Sequence, residues 1–191
     1  MGRSSESSSN TLRLFLAVFP CREQIRSIQV LVQKLQGQET SFHPGNLRWV
    51  VPLKWHVTLR FLGNVPSQQL SSLKSGLEGS VSGVKSFPFR LGGLSGFPRS
   101  RTARVLVVKV EEGLDEIRLL ADRLEKSLST LGFRREKRPF SPHLTLARVR
   151  RGMIQIPELD FLSPACLLSK IHLVQSRPSE GYKTLLKLDL G

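Results

Sequence analysis

Apolar and polar positions follow two different periods along this chain. Three segments carry apolar residues every three or four positions, which is the spacing of an amphipathic helix. We predict these helices at residues 22–36, 66–78 and 114–131. Short apolar or alternating runs, several of them bounded by glycine or proline, predict strands. The predicted strands span residues 12–19, 47–50, 55–63, 87–94, 104–111, 143–149, 166–175 and 182–190.

The order of these elements favours an α+β fold. Several neighbouring strands are joined by loops rather than by helices, so we expect largely antiparallel pairing. A strand, a helix and further strands follow one another in each half of the chain, which suggests a structural repeat. We predict a disordered serine-rich tail over residues 1–10 and a single domain over residues 11–191.

Charge and composition indicate which classes of partner and which compartment are favoured. The chain has 29 Lys and Arg against 15 Asp and Glu, for a net charge of +14. Such an excess favours polyanions, with nucleic acid first and an acidic membrane surface second. No apolar run reaches the roughly 18 residues of a membrane span, and the N-terminus lacks the apolar stretch of a secretory signal. We therefore expect a cytoplasmic protein whose Cys21 and Cys166 are buried thiols in a reducing compartment.

One four-residue pattern, His-x-Thr-Leu, occurs twice. The copies lie at residues 56–59 and 143–146, each in a predicted strand and each in a different half of the chain. Residues i and i+2 of a strand point to the same face. Each copy therefore presents an imidazole beside a hydroxyl, and packing of the two halves would place the histidines across a cleft.

This arrangement suits the cleavage of a phosphodiester. One group must take a proton from the incoming water and another must give a proton to the leaving oxygen, and histidine does both near neutral pH. The threonine hydroxyls can donate hydrogen bonds to phosphate oxygens. The motif histidines have no nearby Cys, Asp or Glu in the sequence, and no glycine-rich phosphate loop is present. We therefore predict no metal and no cofactor.

The segments around the two motifs resemble those of a known family. Residues 55–63, WHVTLRFLG, and 141–148, SPHLTLAR, are similar to the signature motifs of the two-histidine (2H) phosphoesterase superfamily. The extensions are most similar to its RNA 2′,3′-cyclic phosphodiesterase branch, also called 2′-5′ RNA ligase-like. Residues 12–20 and 171–185 resemble the first strand and the last hairpin of that branch. The resemblance implies a bilobal, pseudo-symmetric fold with two mostly antiparallel sheets flanking a central cleft and helices outside.

The resemblance also implies an activity and a set of site residues. The expected reaction is hydrolysis of an RNA 2′,3′-cyclic phosphate to a 2′-phosphate, with reverse 2′-5′ ligation as a further reaction of the same site. His56 would protonate the departing 3′-oxygen and His143 would activate water. Thr58, Thr145 and Arg148 would hold the phosphate. The expected partner is RNA with a cyclic end, without a membrane or an obligate protein partner, and the expected state is a monomer.

Further basic and aromatic side chains are candidates for contacts with RNA. Strict alternation places Arg60 on the face of His56 and Arg148 on the face opposite His143. A local bend, or the long side chain of Arg148 at the end of the strand, could still bring its guanidinium to the phosphate. A cationic loop precedes the second motif. The candidates in and beside this loop are Arg134, Arg135, Lys137, Arg138 and Phe140. A solvated surface is the alternative for each cation.

Other functions stay open on sequence grounds. A 2H enzyme could instead trim RNA 3′ ends or hydrolyse cyclic nucleotides. A non-catalytic, basic RNA-binding module would bind RNA without either histidine. A binder of phosphorylated small molecules would show little salt dependence towards RNA.

Overall fold

The computed structural model describes residues 10–37 and 46–191. The predicted disordered tail over residues 1–10 falls outside these ranges except for Asn10. His43, a histidine that belongs to neither motif, lies outside the described residues as well. All other predicted elements and candidate residues fall within them.

Ten strands and three α-helices form within the described ranges. They are β1 Thr11–Val18, α1 Arg22–Gly37, β2 Leu47–Trp49, β3 Val57–Pro66, α2 Leu70–Val81, β4 Phe87–Pro98, β5 Thr102–Glu112, α3 Leu114–Thr130, β6 His143–Val149, β7 Ile154–Gln155, β8 Cys166–Leu168, β9 Lys170–Arg177 and β10 Gly181–Asp189. The predicted helices are confirmed. The strand predicted over residues 166–175 is divided at Ser169, because β8 pairs with β4 whereas β9 pairs with β1 and β10.

The strands form one antiparallel path in the order β10-β9-β1-β3-β6-β5-β4-β8. The α+β class and the antiparallel pairing are thereby confirmed. The two halves of the path meet between β3 and β6, where a single residue pair, Val57 with Leu144, joins them. Hydrogen bonding therefore links the two predicted sheets into one, with the two motifs at the junction.

The main core lies on the helix side of the sheet. Apolar residues at helical spacing, such as Ile28, Leu31 and Leu35 of α1, are buried there against strand residues. A second, smaller cluster lies on the other side of β1, where Phe15 and Ala17 pack with Val174 of β9. β1 is thus covered on both faces, and the face without helices carries the site described below.

The prediction of two free thiols is wrong in this structure, because Cys21 and Cys166 form a disulfide across 145 positions of sequence. Both residues are half-buried. The disulfide could not be predicted from the sequence spacing, because the two cysteines meet only when β8 joins the edge of the sheet next to the start of α1. None of the helices in the described ranges has the length and apolar composition needed to cross a bilayer.

Candidate active site

The two His-x-Thr-Leu motifs meet at the junction of the two halves of the sheet. Extending the antiparallel register of the Val57–Leu144 pair by one residue on each side sets His56, which directly precedes β3, opposite Thr145, and Thr58 opposite His143. Val57 and Leu144 are buried in the main core, so the imidazoles and hydroxyls point to the opposite face. Side chains at such diagonal positions of an antiparallel pair lie about 7–8 Å apart. This spacing leaves room for a phosphate between the imidazoles.

Both histidines are held by the same backbone contact. Nδ1 of His56 lies 2.7 Å from the carbonyl oxygen of Lys54, and Nδ1 of His143 lies 2.7 Å from that of Ser141. A carbonyl oxygen only accepts, so each Nδ1 carries the proton of this hydrogen bond. Within the described part of the chain neither Nε2 has a hydrogen-bond partner. Each imidazole therefore presents Nε2 for proton transfer.

Aromatic rings surround His56 on the site face. Ring centroids lie 5.0 Å from His56 for Phe15, 5.4 Å for Tyr182 and 6.1 Å for Phe19. Burial lowers the pKa of His56, the hydrogen bond to Lys54 raises it in part, and the charge of His143 lowers it further. A proton on one motif histidine therefore disfavours a proton on the other.

His143 sits in a comparable environment on the second half of the sheet. The ring centroid of Phe97 lies 4.7 Å from that of His143. Burial lowers the pKa of His143, the bond to Ser141 raises it in part, and the positive charge of Arg148 lowers it further. The neutral form of His143, which can accept a proton, is favoured.

A β-bulge brings Arg148 towards the site. The register with β5 steps from Thr145 directly to Ala147, so Leu146 has no partner there. Leu146 and Ala147 are both buried in the core, and the alternation of the strand is thereby reversed. Arg148 then shares the face of His143, and its charge acts on the pKa of both His143 and Tyr182. Of the two alternatives for Arg148, the structure thus shows the local bend.

The first motif has a bulge at Leu59, the residue equivalent to Leu146. This bulge turns Arg60 away from the site face. The register with β1 steps from Thr58 to Arg60 and skips Leu59. Arg60 consequently points to the helix side, where its Nε lies 2.6 Å from the Glu125 carboxylate. The prediction that Arg60 shares the face of His56 is wrong, because strict alternation fails at Leu59.

Phe61 takes the position that corresponds to Arg148. It lies on the site face with 61% of its surface exposed, and its ring centroid is 6.0 Å from that of Phe15. The ring centroid of Tyr182 also lies near that of Phe15, at 5.1 Å. Phe61 and Tyr182 therefore form an open aromatic surface beside His56, whereas Phe140 is half-buried against the main core.

The cationic loop is anchored by Arg60. α3 ends at Thr130, and Gly132 just beyond it has a positive φ of 85°, which allows the Phe133 amide to donate back to the Leu128 carbonyl. Arg60 donates to the Arg134 carbonyl, and Glu125 accepts the Glu136 amide at 3.0 Å. The loop cations are exposed; they are Arg134, Arg135, Lys137 and Arg138.

Arg48 is a further basic residue on the site face, and the sequence alone did not predict its position there. It pairs with Arg148 across β2 and β6, so the two side chains share a face. Both are exposed. A three-residue strand that pairs with a distant one gives no local signal, and Arg48 could have been found only from the β2–β6 register.

An antiparallel sheet with two paired histidine motifs at its centre is the arrangement of a 2H phosphoesterase. The chain belongs to the 2′-5′ RNA ligase superfamily, whose family model matches residues 23–176.

Relatives and solved structures agree with this membership. A protein of Bacillus subtilis (strain 168) named RNA 2′,3′-cyclic phosphodiesterase is 32% identical over 75% of this chain and 81% of its own length. One of the same name from Aeropyrum pernix is 35% identical over 72% of this chain and 86% of its own. The crystal structure of Escherichia coli LigT complexed with 3′-AMP superposes with a TM-score of 0.75. It is 26% identical and covers 95% of this chain and 99% of its own.

Proposed function

We propose that this protein hydrolyses the 2′,3′-cyclic phosphate ends of RNA to 2′-phosphates, with His56 and His143 as the acid–base pair. The observation that carries the proposal is the pair of Nε2 atoms presented on one face, diagonally across the β3–β6 junction. The relatives named RNA 2′,3′-cyclic phosphodiesterase support the same reaction.

The cyclic phosphate would lie between the imidazoles. The hydroxyls of Thr58 and Thr145 face the same space and would donate to its non-bridging oxygens. The Arg148 guanidinium would add two donors and a positive charge. These groups are fixed by the sheet before substrate binds, so they would stabilise the charge of the transition state at little reorganisation cost.

Proton transfer then requires His143 in its neutral form and His56 in its protonated form. Neutral His143 takes a proton from water at Nε2 as the water oxygen bonds to phosphorus. The bond from phosphorus to the 3′-oxygen breaks, and protonated His56 donates its Nε2 proton to that oxygen. The product keeps the phosphate on the 2′-oxygen, and exchange with solvent restores the starting protonation. Assignment of the acid to His56 follows the family resemblance, since the two motifs are nearly symmetric.

The same site would accept a 5′-hydroxyl in place of water. His143 would then deprotonate that hydroxyl, and its attack on phosphorus would expel the 3′-oxygen and leave a 2′-5′ linkage. The atoms balance without any further reactant. Hydrolysis dominates in water because the hydroxyl end of a second RNA is far more dilute.

RNA would be recognised beyond its terminal phosphate. Phe61 and Tyr182 offer faces on which a terminal base can stack. Arg48 and the exposed loop cations would contact backbone phosphates, and the net charge of +14 favours such an encounter. RNA with a cyclic end is accordingly the proposed substrate.

The test is turnover of a short RNA ending in a 2′,3′-cyclic phosphate, in EDTA, with the 2′-phosphate product identified by mass and by its resistance to a 3′-specific phosphatase. We expect His56→Ala and His143→Ala each to lower kcat by at least about a hundredfold. His172→Ala is the matched control, since His172 also lies on the site face through its pairing with Ala17 but belongs to neither motif.

Inertness of the intact protein on every cyclic end would reject the proposal. RNA affinity that survives loss of both histidines would then favour the non-catalytic RNA-binding module. Turnover of cyclic mononucleotides alone, or shortening of RNA 3′ ends, would assign the site to the other 2H reactions.

A further inference from the structure

We infer that Cys21 and Cys166 form a reversible thiol–disulfide exchange site, in which Cys21 is the attacking thiol and Gln24 is the positioning residue. The reactants are low-molecular-weight thiols and disulfides such as glutathione. The site is separate from the phosphate site and does not depend on the proposed function. It rests on the bonded cysteine pair and on a buried polar cluster beside it.

The polar cluster joins the two cysteine-bearing segments without the disulfide. Gln24 has no solvent exposure, although it is polar. Its Oε1 accepts the backbone N–H of Cys21 at 3.3 Å, and its Nε2 donates to the Pro164 carbonyl at 3.2 Å and to the Phe89 carbonyl at 2.9 Å. One side chain therefore connects Cys21 itself to a residue two positions before Cys166.

Ser163 completes this connection. Its hydroxyl lies 3.4 Å from Gln24 Nε2, and it accepts the Leu91 backbone N–H at 3.0 Å. Within the described ranges Gln24 and Ser163 are the buried residues with polar side chains. A buried polar side chain is costly unless its hydrogen bonds are made. The cluster therefore holds the start of α1 against the segment that leads into β8, and reduction of the disulfide leaves the two thiols close together.

Cys21 has the better position to act as the nucleophile. Its carbonyl accepts the first hydrogen bond of α1, from the Ile25 amide at 2.9 Å, so Cys21 is the N-cap of that helix. Helix N-termini stabilise a thiolate. The carboxylate of Glu23 lies within 4.8 Å of both sulfurs and opposes this effect. Both cysteines are half-buried, which leaves access for a small disulfide.

Oxidation would proceed in two balanced exchange steps. The Cys21 thiolate attacks one sulfur of glutathione disulfide, which forms a mixed disulfide and releases one glutathione. The Cys166 thiolate then attacks the Cys21 sulfur, which closes the protein disulfide and releases the second glutathione. Two electrons pass from the protein to glutathione disulfide, and reduced glutathione reverses both steps.

The test equilibrates the full chain in glutathione buffers of known ratio and counts free thiols by mass after maleimide trapping. EDTA is present, because Cys21, Glu23 and Cys166 are close enough to hold a thiophilic metal ion. We expect Gln24→Ala to lower the equilibrium constant for closing the disulfide by about tenfold. Gln29→Ala, an exposed position on the same helix, should leave it unchanged. If Gln24→Ala does not fold, Ser163→Ala replaces it as the test variant and should also lower this equilibrium constant.

The attacking thiol is identified from single-cysteine variants. Cys166→Ser, which leaves Cys21, should be alkylated by iodoacetamide at least about fivefold faster at neutral pH than Cys21→Ser, which leaves Cys166. Glu23→Gln in the first background should accelerate the reaction further. The inference would be overturned by an equal equilibrium constant for disulfide formation in Gln24→Ala and the intact protein. Accumulation of mixed disulfides only, or faster alkylation of Cys166 than of Cys21, would overturn it as well.

Discussion

Arg60 should stabilise the fold rather than bind RNA, and this can be tested by replacing it with alanine. Its side chain is 13% exposed, and its Nε lies 2.6 Å from the Glu125 carboxylate. It also donates to the carbonyl oxygens of Phe61 and Arg134. Arg60→Ala removes these three hydrogen bonds. Among the described residues, the Glu125 carboxylate, which is only 22% exposed, then keeps only the bond from the Glu136 amide.

The loss in the free energy of unfolding caused by Arg60→Ala lies between two limits. A hydrogen bond to a charged group contributes about 1.5–3 kcal/mol, and removal of one partner from a fully buried ion pair costs about 3–5 kcal/mol. Water reaches part of this pair, so we expect Arg60→Ala to lower the free energy of unfolding by about 2–3 kcal/mol. In a chain of 191 residues this corresponds to a melting temperature roughly 5–10 °C lower.

Urea denaturation of Arg60→Ala, Glu125→Ala and the double variant measures both the loss and the coupling energy. We expect a coupling of about 1–2 kcal/mol, since the two side chains are in direct contact. Arg104→Ala is the control, because Arg104 is exposed on β5 and should change stability by less than about 0.5 kcal/mol. Unchanged stability of Arg60→Ala, together with weaker RNA binding and a shallower salt dependence, would refute the orientation that the Leu59 bulge gives Arg60.

Three further predictions concern the site face. Arg148→Lys should lower kcat/KM by about tenfold or more in steady-state assays while leaving the melting temperature unchanged, because lysine cannot bind phosphate with a planar pair of donors. Phe61→Ala should raise KM for a cyclic-ended dinucleotide about tenfold with little change in kcat, and Phe61→Tyr should restore it, since stacking contributes about 1–3 kcal/mol per base. Burial holds the pKa values of His56 and His143 below the ordinary value, so the unfolded chain binds protons first on acidification. The free energy of unfolding should therefore fall from pH 7.5 to pH 5.5, and less steeply when both histidines are replaced by asparagine.

Much of the fold could be predicted from periodicity alone. The helical spacing around Leu120 and Leu124 and the alternation around the two motifs follow directly from burial on one face. The faces of Arg60 and Arg148 could not be predicted, because each follows a bulge at the fourth residue of its motif. A bulge arises from pairing with a neighbouring strand, which a single segment of sequence does not encode.

Two other contacts could not be predicted either, because each joins segments that are distant in the sequence. Arg48 reaches Arg148 only through the β2–β6 register, and Cys21 reaches Cys166 only because β8 pairs with β4 beside α1. The repeated motif is a stronger signal than these contacts, since its two copies indicate both halves of the candidate site. The sequence therefore indicates both motifs of the candidate site, whereas the residues that tertiary pairing brings beside them cannot be found from it.

The most direct test of the central claim is the kcat/KM of His56→Ala, His143→Ala and the double variant on one cyclic-ended RNA. If the two histidines act together on one phosphate, the double variant should be within a few-fold of the slower single variant, because groups that act as a unit are not additive. Losses that multiply, or a single variant that keeps full activity, would contradict a paired acid–base mechanism.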